Sequence, residues 1–272
     1  MKATQPILIL STGRTGTIFL ARLFSDLYPS SVASYHERGQ SRPIQILTNL
    51  HFSHLFPKSG LKAAWKLLKG NEIESCEKDF HIDANNFLYG LASLAPELYP
   101  NLKVLHIVRD PRDYVTSQLN FSRQKKTSFI GNYLVPFWQP NPFLVGELPI
   151  AKALGFTRFQ KYCWVWDFKN RVMSQLANTN TPYLCVRFED LFSKETEVVF
   201  EKITSFLGLP PIKNIHERFR EPANTSQPTF FPEWHQWSNK QSGQLQVLCG
   251  TQMQKYGYGT EPEWMEKIQT KQ

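Results

Sequence analysis

Cysteine is scarce in this chain: four residues in 272, at Cys76, Cys163, Cys185 and Cys249. Their spacing is too wide for a metal-ligand cluster, so no metal site is expected from them. Three lie in apolar surroundings, where a reduced thiol is the ordinary state, and a disulfide framework is not expected. Long apolar runs are missing as well, and none approaches the ~18 residues that span a membrane. The first apolar run starts at Ile7, which leaves no room for a signal peptide. The expected location is therefore cytoplasmic. Dense basic stretches are also lacking. The net charge of +8 favours an anionic ligand, yet the densest run is only Arg123-Gln124-Lys125-Lys126, which argues against nucleic acid. There is no internal repeat and no composition break, so residues 1–272 read as a single domain.

What is present is a folded globule's composition, 41% hydrophobic and 14% aromatic. The apolar run Ile7-Leu8-Ile9-Leu10 reads as a buried strand. It leads through Ser11-Thr12-Gly13-Arg14-Thr15-Gly16-Thr17-Ile18 into Phe19-Leu20-Ala21-Arg22-Leu23-Phe24, the start of a helix. Glycines let such a turn bring backbone N–H groups together, and the helix N-terminus adds positive potential, so a phosphate fits there. A nucleotide-hydrolysing P-loop would continue with lysine and a magnesium-binding hydroxyl after its last glycine. Here Gly16 is followed by Thr17 and Ile18. The loop is a phosphate cradle without that catalytic pair, which disfavours the rival reading as a P-loop nucleoside or nucleotide kinase.

A second segment, Val108-Arg109-Asp110-Pro111-Arg112-Asp113, follows the strand Val104–Val108 and precedes a helix predicted over Arg112–Phe121. Arg109 and Ser117 at that point offer a second phosphate site. Asp110, Arg112 and Asp113 read as helix-start capping and local ion pairs. Further strands are expected over Ser31–His36, Asp79–Asp83 and Tyr183–Val186. Helices are expected over Ile44–Phe56, Leu61–Leu68, Asn86–Leu98, Phe156–Leu176, Lys194–Leu207 and Gly243–Tyr256. Alternating strands and helices imply an α/β fold: a three-layer domain whose mostly parallel sheet binds ligands beyond the strands' carboxyl ends. Residues 125–150 break the pattern with prolines and aromatics (Tyr133, Phe137, Trp138, Phe143) and read as a long loop or lid. Residues Arg218–Asn239 read as irregular. The triplets Asn120-Phe121-Ser122 and Asn224-Thr225-Ser226 fit a glycosylation acceptor, a pattern that recurs by chance.

At these residues the chain resembles the sulfotransferases that use 3′-phosphoadenosine 5′-phosphosulfate (PAPS). Ser11–Thr17 is similar to their 5′-phosphosulfate loop, and Leu105–Asp113 with Ser117 to their 3′-phosphate segment. Val186-Arg187-Phe188-Glu189-Asp190-Leu191 is similar to their R-Y-E-D-L stretch, and Trp237-Ser238 with Tyr256-Gly257-Tyr258 to their ending. The resemblance implies sulfuryl transfer from PAPS to an acceptor hydroxyl or amine, in line, with general-base help. It also implies that Gly13, Arg14, Thr15, Gly16, Thr17 and Ile18 hold the 5′-phosphate end, with Arg14 near the leaving oxygen. Arg109 and Ser117 would take the 3′-phosphate, Phe188 the adenine, and Trp237, Ser238 and Lys240 the closing segment. A non-catalytic protein that binds PAPS or its desulfated product is the other alternative.

The base needs a carboxylate or imidazole within reach of the acceptor. Glu37, after the second strand, occupies the place of a glutamate in several relatives, with His36 beside it; an ion pair between Glu37 and Arg38 or Arg42 is the plainer reading. His81 is a third candidate. Asp83-Ala84-Asn85-Asn86 stands where the family has an E-K-T-P-like stretch, without its lysine. The acceptor class stays open among carbohydrate, lipid, phenol, small metabolite and peptide.

Overall fold

A computed structural model describes residues 4–124, 130, 135–219 and 230–269. Five strands, β1 (Gln5–Ser11), β2 (Val32–His36), β3 (Phe80–Ala84), β4 (Lys103–Val108) and β5 (Tyr183–Arg187), form one sheet in the order β2-β3-β1-β4-β5. Every neighbouring pair is parallel. Among the described residues the helices of two turns or more are α1 (Thr17–Leu27), α2 (Ser41–Phe52), α3 (Lys58–Trp65), α4 (Pro111–Gln124), α5 (Arg158–Ser174), α6 (Thr196–Leu207), α7 (Asn239–Lys255) and α8 (Pro262–Gln269).

The period-two pattern of the strands explains the layers. Ile7 and Ile9 of β1, with Ile82, Leu105, Ile107 and Val186, face a core closed by α1 and α6. Leu8, Leu10 and Val104 face a second core closed by α2, α3 and α5. A strand buried on both sides needs an uninterrupted apolar run, which is what β1 and β4 carry. A third apolar cluster joins Val108 to α4, α5, α7 and α8 through Trp166, Leu245, Met253 and Trp264. Because the chain moves outward to β2, returns to β3, and then crosses to β4, the direction of winding reverses beside β1. Its carboxyl end is the switch point where an α/β sheet opens a crevice.

Several expected boundaries shift. The helix expected over Asn86–Leu98 is instead a 3-10 turn, Tyr89–Ser93, and a short helix, Ala95–Leu98. Asn85 Oδ1 accepts from Phe87 N at 3.0 Å and starts a turn. Gly90 then passes so close to Thr48 that a Cβ would collide with its methyl group. The last expected helix begins at Asn239 rather than Gly243, because Ser238 and Gln241 form a capping box. Helix α8 was not expected, nor was the short helix Ile150–Leu154 that follows the 125–150 loop. Of the 125–150 loop, 125–129 and 131–134, including Tyr133, lie outside the described residues, as do the Asn224 triplet and 220–229. Asn120 is buried, and its amide bonds the backbone of Phe230 and Phe231, so it is no glycan acceptor.

Candidate active site

The turn after β1 sits at the switch point. Gly13 (φ +94°), Arg14 (φ +60°) and Gly16 (φ +67°) all adopt left-handed conformations, the kind that builds concave, anion-binding backbone. Gly16 also has to approach an aromatic: a Cβ there would lie 3.3 Å from Phe188 Cε2. As N-cap of α1 it offers no side-chain oxygen, and no side chain caps that helix. The helix start is thereby left to an external acceptor. Thr15 and Thr17 are buried and Ile18 is exposed on the first turn.

Arg109, one residue beyond β4, donates from Nη1 to the Arg14 carbonyl at 2.7 Å, and Arg14 Nε donates to Ser117 Oγ at 2.9 Å. Residues from three separate segments thus meet, as the sequence reading required of the two phosphate sites. Arg14 also lies over the Phe121 ring at 4.5 Å, and Arg109 over Phe188 at 4.8 Å. Burial first, then the like charge of Arg109, lowers the Arg14 pKa from its ordinary value. An anion bound beside these two arginines would meet favourable charge from both. The buried oxygens Thr12 Oγ1 and Thr15 Oγ1 and the buried Arg109 Nε also have no hydrogen-bond partner. Orphaned polar groups around a positive cradle fit the phosphate-rich PAPS.

Glu37 follows β2 with φ +49° and donates its N–H to Ala84 O at 3.2 Å, continuing the β2–β3 ladder by one residue. Asn86 Nδ2 bonds Glu37 Oε1, and Asn86 Cγ stands 3.6 Å from where a Gly13 Cβ would be. One side chain therefore separates the carboxylate from the phosphate loop. His36 Nε2 lies 3.1 Å from Thr17 Oγ1 and 3.6 Å from Glu37 Oε1. Burial, then the charge of Arg22, lowers the His36 pKa. Burial raises Glu37 to about 7, against Arg42, the Asn86 bond and Lys169, which lower it, and with Asp83, which raises it. Neither Arg38 nor Arg42 makes the ion pair with Glu37 that the plainer reading supposed; Arg38 stacks on Tyr35 at 3.8 Å and Arg42 lies 6.0 Å from the Phe87 ring.

Described residues of the 125–150 segment pack beside Asn86. Trp138 meets Phe87 edge-on at 5.6 Å. Asn49 Nδ2 donates to Phe137 O at 2.6 Å, and Gln45 Nε2 bonds Trp138 O. Tyr89 OH bonds Asn49 Oδ1. Asn86 and Thr12 lie in stretches the sequence marks, but without a role of their own, and Asn49 and Gln45 carry no signal there, because a lone amide forms no pattern.

Other expected residues lie elsewhere. Trp237 is buried in the third cluster, 4.9 Å from the Phe159 ring, and its Nε1 donates to Pro232 O. Ser238 is the N-cap of α7, and Lys240 is exposed on its first turn. None of the three meets the phosphate loop in any contact recorded for them. His81 is buried on β3, its Nε2 without a partner; burial, then Lys69 and Arg38, lowers it to about 4. Asp110 and Arg112 form a buried pair extended to Glu261, while Glu189 bonds Asp110 N and Tyr258 OH. Of the motifs, these charged residues hold the fold around Arg109.

Known proteins agree with this geometry. The chain matches the sulfotransferase domain over residues 4–246. A sulfotransferase from Alicyclobacillus acidocaldarius has a TM-score of 0.50 at 14% identity, over 95% of this chain and 98% of that one. Sulfotransferase STF9 from Mycobacterium avium has a TM-score of 0.51 at 10% identity, over 95% and 78%. At such identities these two speak for the fold alone. No curated protein sequence matches the chain significantly. No helix among the described residues is long and apolar enough to cross a membrane. With nearly its whole length matching that domain, and two basic segments joined at the end of a parallel sheet, the chain belongs to the sulfotransferase family, whose sulfuryl donor is PAPS.

Proposed function

We propose that the protein transfers the sulfuryl group of PAPS to an acceptor hydroxyl, with Glu37 as general base. The observation that carries this reading is the adjacency of Glu37 to the phosphate loop, through Asn86 at Gly13 and through His36 at Thr17. PAPS, when bound, supplies an activated sulfuryl group on a good phosphate leaving group. The backbone of Gly13–Thr17, with the orphaned Thr15 hydroxyl, holds the 5′-phosphate end. Arg14, with its forked and permanent charge, stabilises the oxygen that gains charge as the bond to sulfur breaks. Arg109 and Ser117 hold the 3′-phosphate, and Phe188, packed against Gly16 and Arg109, is placed for the adenine.

Asn86 holds Glu37 at Oε1, which leaves Oε2 to take the acceptor's proton. A base works best when its pKa lies near the operating pH, and Glu37 raised to about 7 meets that condition. His36 braces this pair from the Thr17 side. Trp138 and Phe87 form the acceptor wall. The chain reads as one domain with 125–150 as its lid, and its four free thiols suit the cytoplasm.

A panel of hydroxyl acceptors with radiolabelled PAPS tests the proposal, run with the wild type and Glu37→Gln. Label should pass to one acceptor class with the wild type, and ~10²–10⁴-fold more slowly with Glu37→Gln. Binding of the desulfated nucleotide without transfer to any acceptor would select the non-catalytic alternative.

A further inference from the structure

Helix α2 turns a polar stripe inward where packing alone calls for apolar residues. Ser41, Gln45, Thr48 and Asn49, spaced to share one helix face, are each 1% exposed or less. Burying amides and hydroxyls is costly unless each finds a partner, so the partners tell what the stripe holds. Ser41 Oγ accepts from Asn85 Nδ2 at 2.7 Å, and Thr48 lies against Gly90. Both contacts fix the turn after β3, which carries Asn86 and Phe87. Gln45 and Asn49 reach a different segment: Asn49 Nδ2 donates to Phe137 O at 2.6 Å, and Gln45 Nε2 bonds Trp138 O.

Two successive carbonyls of an irregular segment are thus held by one buried helix. Asn49 is itself oriented, since Tyr89 OH donates to its Oδ1, and the buried Lys169 of α5 sets its ammonium 4.8 Å from the Tyr89 ring centre. The hold acts against local preference: Phe137 has φ +57°, a left-handed conformation that a bulky side chain seldom adopts. Such strain persists where the surroundings over-determine it, and it gathers at functional sites. The residue it fixes is Trp138. That ring meets Phe87 at 5.6 Å and 69°, and Phe87 follows Asn86, whose amide bonds Glu37 Oε1.

Building on the reading of Glu37 as base, with Trp138 and Phe87 as the acceptor wall, we infer that Gln45 and Asn49 are positioning residues that aim Trp138 across Phe87, and that the wall so fixed selects an acceptor whose hydroxyl is borne on a ring. Neither amide touches donor or acceptor in this role. Two aromatic rings set at a steep angle offer a face and an edge, and a flat ring, phenolic or sugar, packs on them in a defined orientation. A ring seated there can turn its hydroxyl toward the carboxylate that Asn86 holds. An open-chain alcohol gains less from rigid faces and loses more rotamer freedom on binding.

Cresol, methyl glucoside and hexanol are the probe acceptors. They are offered with PAPS to the wild type, Asn49→Leu, Gln45→Met, Trp138→Leu, and each amide variant combined with Trp138→Leu. The wild type should use a ring acceptor, cresol or methyl glucoside, and neglect hexanol; equal use of hexanol overturns the ring selection. Each single variant should raise the KM of that acceptor by roughly 2–10-fold, the worth of one aromatic contact, more than it lowers kcat, with affinity for the desulfated nucleotide kept. Added to Trp138→Leu, either amide change should raise KM no further, because residues that act through one another are not additive. Multiplied losses in the double variants, or a fall in nucleotide affinity, overturn the positioning role in favour of a general structural one. The same proteins are made with fluorotryptophan, and the Trp138 fluorine resonance is identified by its loss in Trp138→Leu. It should move in both amide variants, and an unmoved resonance overturns the role whatever the turnover. With the desulfated nucleotide bound, the wild-type resonance should also move with cresol or methyl glucoside and not with hexanol. A protein that sulfates none of the three is therefore still decided, since no shift with either ring overturns the proposal. Should Asn49→Leu not fold, Gln45→Met carries the same cycle. Full activity in Glu37→Gln would remove the base assignment and leave these comparisons standing.

Discussion

Arg109 Nη1 donates a hydrogen bond to the backbone carbonyl of Arg14, 95 residues earlier, at 2.7 Å. That single bond ties the loop after β1 to the end of β4, with the Arg14 side chain turned to Ser117 and Phe121. Burial, then the charge of Arg109, lowers the Arg14 pKa, and an anion bound beside the two arginines would favour their charged forms.

The two arginines should separate by readout. Arg109→Ala removes a ground-state phosphate contact and a loop tie, and should weaken binding of the desulfated nucleotide by ~1.5–3 kcal/mol, measured by titration calorimetry. Arg14→Ala should depress kcat more than nucleotide affinity, because its charge counts most as the leaving oxygen becomes anionic. Equal affinity losses in both would take Arg14 out of the chemistry.

Glu37 gives the pH dependence. A base must start ionised, so with Glu37 raised to about 7 the acidic limb of kcat/KM should fall near pH 7, well above the 4.5 of an ordinary glutamate. Activity rises through that limb as pH rises. The stability effect has the opposite sign: the folded state binds the proton more tightly than the unfolded chain, so ionising this buried group costs stability as pH climbs from 4.5 toward 7. Glu37→Gln should therefore lose turnover yet melt no lower than wild type at pH 8. A loss of both would mark a structural carboxylate.

Gly16 tests the cradle without touching charge. At φ +67° an alanine costs ~1–2 kcal/mol in backbone strain, and its Cβ presses on Phe188 at 3.3 Å. Gly16→Ala should weaken donor binding and lower the melting temperature together. Gly146, with nothing within 4 Å of its Cβ position and φ +77°, is the control: Gly146→Ala carries similar backbone strain and should spare donor binding.

His106 predicts the acid limit of the fold. Fully buried between Tyr183 OH at 2.7 Å and Asn170 Oδ1 at 2.9 Å, it is lowered from 6.5 to about 4, chiefly by burial. Between those values the unfolded chain binds the proton and the folded one does not, so stability present above pH 6.5 is lost as pH falls toward 4. From pH 7 to pH 5 this one group should account for about 2 kcal/mol of lost unfolding free energy. Urea titrations of His106→Gln at both pH values should show a smaller difference than wild type; an unchanged difference assigns the acid sensitivity elsewhere.

Much of the architecture was legible because it rests on local patterns. Uninterrupted apolar runs marked β1 and β4, glycines marked the turn between β1 and α1, and alternation of strands with helices implied the parallel sheet. Boundaries moved where a side chain intervened, as with the Ser238–Gln241 box that starts α7 early. The helix expected after β3 is broken by the turn at Asn85, and Gly90 then packs closely on Thr48 of another element. Trp237 and Ser238 were legible as residues of a late motif, but their burial and capping bonds are matters of packing. Lys169 did carry a signal, a lysine on an apolar stripe, whose meaning depended on what faced it.

The sequence by itself determined the chemistry on offer: a glycine-turned loop at a helix start, a glutamate after the second strand, and an arginine and a serine after the fourth. Those features depend on neighbours within a few residues, so spacing reveals them. Only the tertiary structure decided how they combine. Parallel pairing puts the carboxyl ends of β1, β2, β3 and β4 side by side, so Arg14 meets Arg109 and Ser117 while Asn86 bridges Gly13 to Glu37. Burial then changes what those groups are, raising the Glu37 carboxyl to about 7. Desolvation depends on every atom packed around a charge, and those atoms come from the whole chain.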